Sequence, residues 1–296
     1  MNCNYGETNC EVFQADDQTK LLAHSWLPQN NIKAVFLAIH GGMAHGGDWV
    51  TPALYFKEKG IATYALDLRW HGTYAQHNKG GKNFCHVNSY EETLRDIDKF
   101  YTWIKEKHPN TPMFIIAHSV GGLNALHYGL TIGKDRDIKG YILSSPWLKN
   151  VVVFPKVLKA LTKILVKIVP NMAVKPESLT DVLTHDEKIT ARHHADEAAG
   201  IRGTSGSVKF VIESEKTQAW VIDNLKFWKK YPMFVVLAGQ DRLADNDLGE
   251  NALKVIPGGL VTLVKCKDNY HENFNETNRN EIFAKAYDWM QKCTKF

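Results

Sequence analysis

Met113-Phe-Ile-Ile-Ala-His118-Ser119-Val-Gly121-Gly122 is an apolar, strand-like run that stops at a serine, with small residues at fixed offsets around it. This is the sequence form of a nucleophile elbow, the G-x-S-x-G turn, with Ala117 in place of the first glycine. The turn from strand to helix is strained, so a large residue there would collide with the strand and helix packed alongside; alanine still fits. Such a turn exposes the serine Oγ. It also aims the backbone N–H of Val120 and the start of the next helix, read over residues 121–130, at the same space. Those donors and the helix dipole favour negative charge, as the oxyanion of acyl transfer requires. Small-x-Ser-x-Gly also occurs at ordinary βα turns, so the reading depends on the rest of the chain.

A serine hydroxyl is a weak nucleophile until a base takes its proton, and the base must be oriented by a third group. On this kind of sheet the partners follow in the order serine, acid, histidine. Met233-Phe-Val-Val-Leu-Ala-Gly239-Gln-Asp241 is a second buried-strand pattern, ending in an aspartate. Leu260-Val-Thr-Leu-Val-Lys-Cys-Lys267 is a third, followed by Asp268-Asn-Tyr-His271. The acid and the histidine therefore emerge at one edge of a parallel sheet, the carboxyl edge where ligands bind. His271 is the expected general base and Asp241 its orienting acid. Asp245 and Asp247 are rivals in the same loop, but Asp241 follows the strand most closely. The chain has 13 histidines, so residue type alone carries little weight. His118, beside the serine, reads as structural, directed away from the nucleophile.

Upstream, Ala34-Val-Phe-Leu-Ala-Ile-His40-Gly41-Gly42-Met43 is a strand opening into a His-Gly-Gly turn. Glycine lets the backbone approach a ligand closely. The N–H of Gly42 is thus the expected second oxyanion donor, opposite that of Val120. The competing reading makes His40 and His45 metal ligands. Their 5-residue step is wrong for one helix face, and no carboxylate or cysteine accompanies them at metal-ligand spacing. Neither a metal nor an organic cofactor is expected.

Taken together, His40-Gly41-Gly42, Ala65-Leu-Asp67-Leu-Arg69-Trp-His71-Gly72, the elbow at Ser119, Gly239-Gln-Asp241-Arg242 and Tyr270-His271-Glu272 resemble the monoacylglycerol lipase and lysophospholipase branch of the α/β-hydrolases, which is serine aminopeptidase-like. The resemblance runs from about Glu11 to Trp289. It implies a serine esterase acting on single-acyl lipids, with nucleophile, acid and base at Ser119, Asp241 and His271. Two departures stand out: Ala117 in the elbow, and Leu68-Arg69-Trp70 where the family more often has a glycine before the second histidine. The second departure bears on headgroup acceptance rather than on the chemistry.

Length and composition agree with this reading. The chain has 296 residues, is 44% hydrophobic, and can bury one large core. An opening antiparallel pair is read at residues 11–15 and 21–27, then strands near Ala34, Ala62, Met113, Lys139, Met233 and Leu260. Helices are read over residues 51–59, 90–107, 121–130, 247–255 and 281–291. Alternating strands and helices imply a mostly parallel sheet covered on both faces, the α/β-hydrolase fold. After the sixth strand the alternation stops for about 80 residues. Residues 1–146 and 230–296 are therefore expected to form the core, and residues 147–229 a helical lid inserted at the ligand-binding edge.

Within that insertion, residues 155–169 read as one helix, opened by Pro155, running to Val169 and stopped by Pro170. Lys156, Lys159, Lys163 and Lys167 form a narrow stripe on an otherwise apolar surface. The plain reading packs this helix on the body with its lysines in water. The functional reading docks it peripherally on a membrane, beside a poorly soluble lipid ester substrate. The formal net charge of +4 is modest, and basic residues elsewhere are scattered, which argues against nucleic acid as a partner. The 5 cysteines are odd in number without paired spacing, which points to a reducing, cytoplasmic setting. Neither a signal peptide nor a membrane span is expected. Three other readings remain open: an amide or peptide hydrolase with the same machinery, marked by an acidic pocket; a C–C hydrolase or dehalogenase, the latter needing a carboxylate where this chain has Ser119; and a catalytically silent ligand receptor on this fold.

Overall fold

The computed structural model describes residues 3–72, 84–151, 167–174, 178 and 180–296. Two strands, β1 (Asn9–Gln14) and β2 (Lys20–Trp26), pair antiparallel. Then come apolar runs of five or six residues, almost wholly buried, as strands covered on both faces must be. They are β3 (Ala34–Ile39), β4 (Ile61–Leu66), β5 (Met113–His118), β6 (Gly140–Ser144) and β7 (Met233–Ala238), with the half-buried β8 (Val261–Cys266) last. They form an eight-stranded sheet in the order β1-β2-β4-β3-β5-β6-β7-β8, parallel from β4 to β8. β2 joins antiparallel to β4 at one side. This is the α/β-hydrolase architecture that the alternation predicts.

Alternate residues of β3 show how both faces are covered. Val35, Leu37 and Ile39 belong to one apolar cluster, which includes Leu94, Ile97, Phe100 and Ile104 of α2 (Tyr90–Lys107) and Leu123 and Leu126 of α3 (Val120–Leu130). Ala34, Phe36 and Ala38 face the other way, toward Ala53 and Phe56 of α1 (Val50–Lys57) and a helix near the C-terminus that supplies Phe283, Trp289 and Met290. Helix α2 starts where its sequence asks it to: Ser89 accepts the N–H of Glu92 at 3.2 Å, with Glu91 and Glu92 at the positive end of the dipole.

Between β6 and β7 the chain leaves the sheet, which is the interruption expected after the sixth strand. The described part of this insertion holds α4 (Glu187–Ala198) and α5 (Val208–Asn224), the latter packed on α3. It also holds two short strands the sequence pattern did not signal. Ala173–Val174 and Ser205–Ser207 join Phe84–Cys85 in a small second sheet, so the insertion is tied to the loop that follows β4. The helix read over residues 155–169 falls mostly outside the described residues; of the part that is described, Ile168 is 70% exposed. Back in the core, α6 (Asn246–Leu253) and α7 (Arg279–Cys293) close the fold. Among the described residues no helix is long and apolar enough to cross a membrane.

Candidate active site

Ser119 sits between the end of β5 and the first turn of α3, at φ 54° and ψ −119°. A non-glycine residue at positive φ is costly, and such strain persists only where its surroundings over-determine it. Here the Ser119 N–H donates to Ser144 O at 3.0 Å, and Ser119 O accepts the N–H groups of Leu123 and Trp147 at 3.1 and 3.0 Å. The flanking glycines are forced. A Cβ on Gly121 would lie 2.1 Å from the carbonyl oxygen of Ile39 and 2.5 Å from that of His40, so α3 can cross the end of β3 only without a side chain there. Ala117 is fully buried and paired across to Ile39 and Leu143, and its methyl group is accommodated.

Asp241 and His271 emerge past β7 and β8, at the same edge, and meet. His271 Nδ1 is 2.7 Å from Asp241 Oδ2, and both side chains are buried. The carboxylate is held from both sides: Oδ1 accepts the N–H groups of Leu243 and Ala244 at 2.8 and 2.9 Å, and Oδ2 also accepts Asn246 Nδ2 at 2.9 Å. Burial pushes the Asp241 carboxyl up, but His271 and the two backbone donors outweigh it and hold it at about 2. The rivals are placed elsewhere. Asp245 caps α6 by accepting the N–H of Leu248 at 3.0 Å, and Asp247 is exposed.

His118, read as structural and directed away from the nucleophile, is held by Ser144 and lies on the histidine loop. Its ring lies against that of His271, centroids 4.6 Å apart, with Nδ1 3.2 Å from both the carbonyl and the Oγ of Ser144. Burial pushes its imidazole down to about 3, so it packs against His271 as a neutral ring. Asn273 Nδ2 donates to Ser145 Oγ at 3.0 Å, fastening the histidine loop to the end of β6.

On the other side of the serine, the loop after β3 approaches with bare backbone. A Cβ on Gly41 would be 3.3 Å from Ser119 Cβ, and one on Gly42 would be 2.9 Å from Val120 Cγ2. Val120 opens α3, so its N–H has no intrahelical acceptor. His40 is spent on structure. Its Nδ1 bonds Gly41 O at 2.7 Å and its Nε2 accepts the N–H of Leu68 at 3.0 Å, while burial and then His71 push it down to about 3. His45 caps the turn before α1 by accepting the N–H of Gly47 at 3.1 Å. The two histidines read as alternative metal ligands thus have other partners.

Two clusters among the described residues bring ligating atoms within 4.8 Å of one another: Cys3, Glu7 and Cys10, and His45, Asp48 and Asp196. In each the carboxylates already have partners. Glu7 is 2.8 Å from His24, Asp196 accepts Tyr5 Oη at 2.8 Å, and Asp48 accepts Arg202 Nη1 at 2.5 Å. Arg202, Asp48 and Glu272 carry charge beside the candidate triad, and the sequence reading missed their association. Their separations of 154 and 70 residues leave no periodic signal.

Comparison with known proteins follows the same line. The family model described as serine aminopeptidase, S33, matches residues 30–278. Phospholipase YtpA of Bacillus subtilis is 27% identical, covering 86% of this chain and 93% of its own length. The monoacylglycerol lipase of Mycolicibacterium smegmatis is 27% identical, covering 90% of each chain. An uncharacterized abhydrolase domain-containing protein of Dictyostelium discoideum is 24% identical over 93% of this chain, which spans only 28% of that protein's length. Among solved structures, a soluble variant of monoglyceride lipase from Saccharomyces cerevisiae, in complex with a substrate analog, matches in fold with a TM-score of 0.84. It is 20% identical, over 100% of this chain and 99% of that one.

Proposed function

Because the chain belongs to the serine aminopeptidase S33 family of α/β-hydrolases, and is a hydrolase, we propose that it cleaves esters of single-acyl lipids, monoacylglycerols or lysophospholipids, through an acyl-enzyme on Ser119. The observation that supports this most is the buried Asp241–His271 pair at 2.7 Å, packed through His118 against the strained elbow of Ser119. Ser119 Oγ attacks the ester carbonyl as His271 Nε2 takes its proton, while Asp241 keeps the ring proton on Nδ1 and stabilises the imidazolium. The N–H groups of Gly42 and Val120 hold the oxyanion. Collapse of the tetrahedral intermediate expels the alcohol, which takes its proton from His271. Water, deprotonated by the same histidine, then releases the fatty acid.

The substrate class rests on the names of the relatives, a monoacylglycerol lipase and a phospholipase. Residues 147–229 serve as the lid in this reading. Their lysine-striped segment gives peripheral contact with a membrane, and the exposed Ile168, Val169 and Met172 at its end suit an apolar surface. Cleavage of amides from a free amino terminus would need an unpaired acid near the serine. Asp48 and Glu272 do line a cavity of about 30 Å³ with His40 and His118, but both are bonded to Arg202.

The test is steady-state hydrolysis by the purified protein of monoacylglycerols, lysophospholipids, p-nitrophenyl esters and aminoacyl anilides, beside Ser119→Ala. The long-chain esters are expected to turn over and the anilides to remain intact. Ser119→Ala should retain only the modest residual rate that oxyanion donors and binding provide. Preferred cleavage of the anilides would replace the ester reading.

A further inference from the structure

The two loops that flank Ser119 come from opposite ends of the chain, and one buried cation joins them. Arg202, 5% exposed, lies in the insertion between α4 and the strand Ser205–Ser207. Its Nη1 donates to Asp48 Oδ2 at 2.5 Å and its Nη2 to Glu272 Oε1 at 3.0 Å. Asp48 belongs to the loop that runs on from Gly42, and Glu272 is the residue after His271. The neighbouring Gly203 N–H donates to Met43 O at 2.6 Å, next to Gly42. Glu272 is gripped further: Oε2 accepts Asn275 Nδ2 at 2.7 Å, and its N–H donates to Leu183 O at 2.9 Å, again in the insertion.

More of the insertion follows the same route. Thr184 Oγ1 donates to Asn275 O at 2.9 Å, His185 Nδ1 is 2.9 Å from Glu276 Oε1, and Arg279 Nη1 donates to Asp186 Oδ2 at 2.7 Å. The ring of His185 stacks on Tyr270 with centroids 3.7 Å apart. The described part of the insertion is thus bonded at several points to the loop that carries His271.

On the strength of the proposed acyl transfer, we infer that Arg202 is a positioning residue, a guanidinium contributed by the insertion that sets the spacing between the oxyanion loop and the histidine loop. Arginine suits the task because its planar fork can serve two carboxylates at once, which a lysine ammonium does less well. The electrostatics carry the same sense. Burial raises Glu272, but His193, Arg202 and His118 outweigh it and hold the carboxyl at about 2. The charged and titratable groups around Arg202 and its two carboxylates are His193 and His118 at Glu272, His45, His193 and Arg192 at Asp48, and Glu197 at Arg202, while Asp241 and His118 face His271. Removing the guanidinium takes one positive charge from two buried carboxylates, leaving His193 within 4 Å of both and Arg192 within 4 Å of Asp48. Loss of that cation makes the surroundings of the histidine loop more negative, which moves the acidic limb of the pH profile up.

Arg202→Met, Arg202→Lys and Glu272→Gln, assayed on a short soluble p-nitrophenyl ester, test this. Turnover by the wild type and its loss in Ser119→Ala first decide the proposed function separately. Given that, Arg202→Met is expected to lower kcat by about tenfold or more, since small misplacements of a catalytic group are expensive. KM should stay within about twofold, and the acidic limb of kcat/KM should move up by about 0.5 pH unit or more. Arg202→Lys should restore the limb and only part of kcat. Glu272→Gln added to Arg202→Met should bring the limb back toward the wild type. If Arg202→Met does not fold, the Lys and Gln variants carry the same comparison. Folded variants that keep both kcat and the pH limb of the wild type would overturn the inference, as would a loss of kcat that only follows thermal stability with the limb unmoved.

Discussion

Asp241→Asn exchanges one oxygen for a nitrogen, and its effect follows from the four hydrogen bonds the carboxylate accepts. Oδ1 takes the N–H groups of Leu243 and Ala244 at 2.8 and 2.9 Å, while Oδ2 faces His271 Nδ1 at 2.7 Å and Asn246 Nδ2 at 2.9 Å. An amide satisfies the two backbone donors only by keeping its oxygen at the Oδ1 place. Its NH₂ group then faces His271 and must donate to Nδ1, which puts the ring proton on Nε2. That tautomer cannot take the proton of Ser119. Turning the amide round restores the useful tautomer but strands the donors of Leu243 and Ala244, at about 1–3 kcal/mol each. The exchange therefore costs the reaction about 2–6 kcal/mol, which is between about thirtyfold and about 3 × 10⁴-fold in kcat. Asp245→Asn is the control. Asparagine caps a helix as well as aspartate does, so turnover should stay within about twofold. The assay is release of p-nitrophenol under saturating ester, with circular dichroism melting to check the fold. A crippled Asp245→Asn, or an Asp241→Asn enzyme within about tenfold of wild type while Ser119→Ala is inactive, would show that the acid has been misassigned.

Two further outcomes are expected. Gly121→Ala places a methyl group 2.1 Å from the Ile39 carbonyl, a backbone atom that cannot swing aside. It should cost about 1–3 kcal/mol or more, lower the melting temperature by several degrees, and reduce kcat by displacing the Val120 N–H. Lys159→Glu combined with Lys163→Glu should weaken binding to anionic liposomes at low salt, since each lysine near such a surface contributes about 1 kcal/mol. Hydrolysis of a short soluble ester should hardly change in that double variant, and liposome binding equal to wild type in a flotation assay would return the segment to an ordinary packed helix.

Much of this molecule is legible along the chain because its signals are local. The apolar runs ending at His40, Ser119 and Asp241 are strands, since continuous burial and small residues at the strand ends have one reading in an alternating pattern. Asp241 stands out from Asp245 because it follows its strand more closely, and Asp245 is a helix cap. What escaped was long-range. The small sheet of Phe84–Cys85, Ala173–Val174 and Ser205–Ser207 is built from strands of two or three residues, too short to carry a period. Arg202 meets Asp48 and Glu272 across the fold, and charges scattered over the chain do not say which will pair. The packing of His118 against His271 depends on how two loops close over the elbow, and no spacing within either loop encodes it.

The claim on which the account depends is that Ser119 carries an acyl group during turnover. Acid-quenching the protein early in its reaction with a p-nitrophenyl ester, then with a monoacylglycerol, and mapping the acylated peptide by mass spectrometry tests it directly. The predicted result is a single acyl adduct on the peptide that contains Ser119, formed as fast as the first turnover and missing from Ser119→Ala. An adduct on a different residue, or ester turnover that persists in Ser119→Ala, would contradict it.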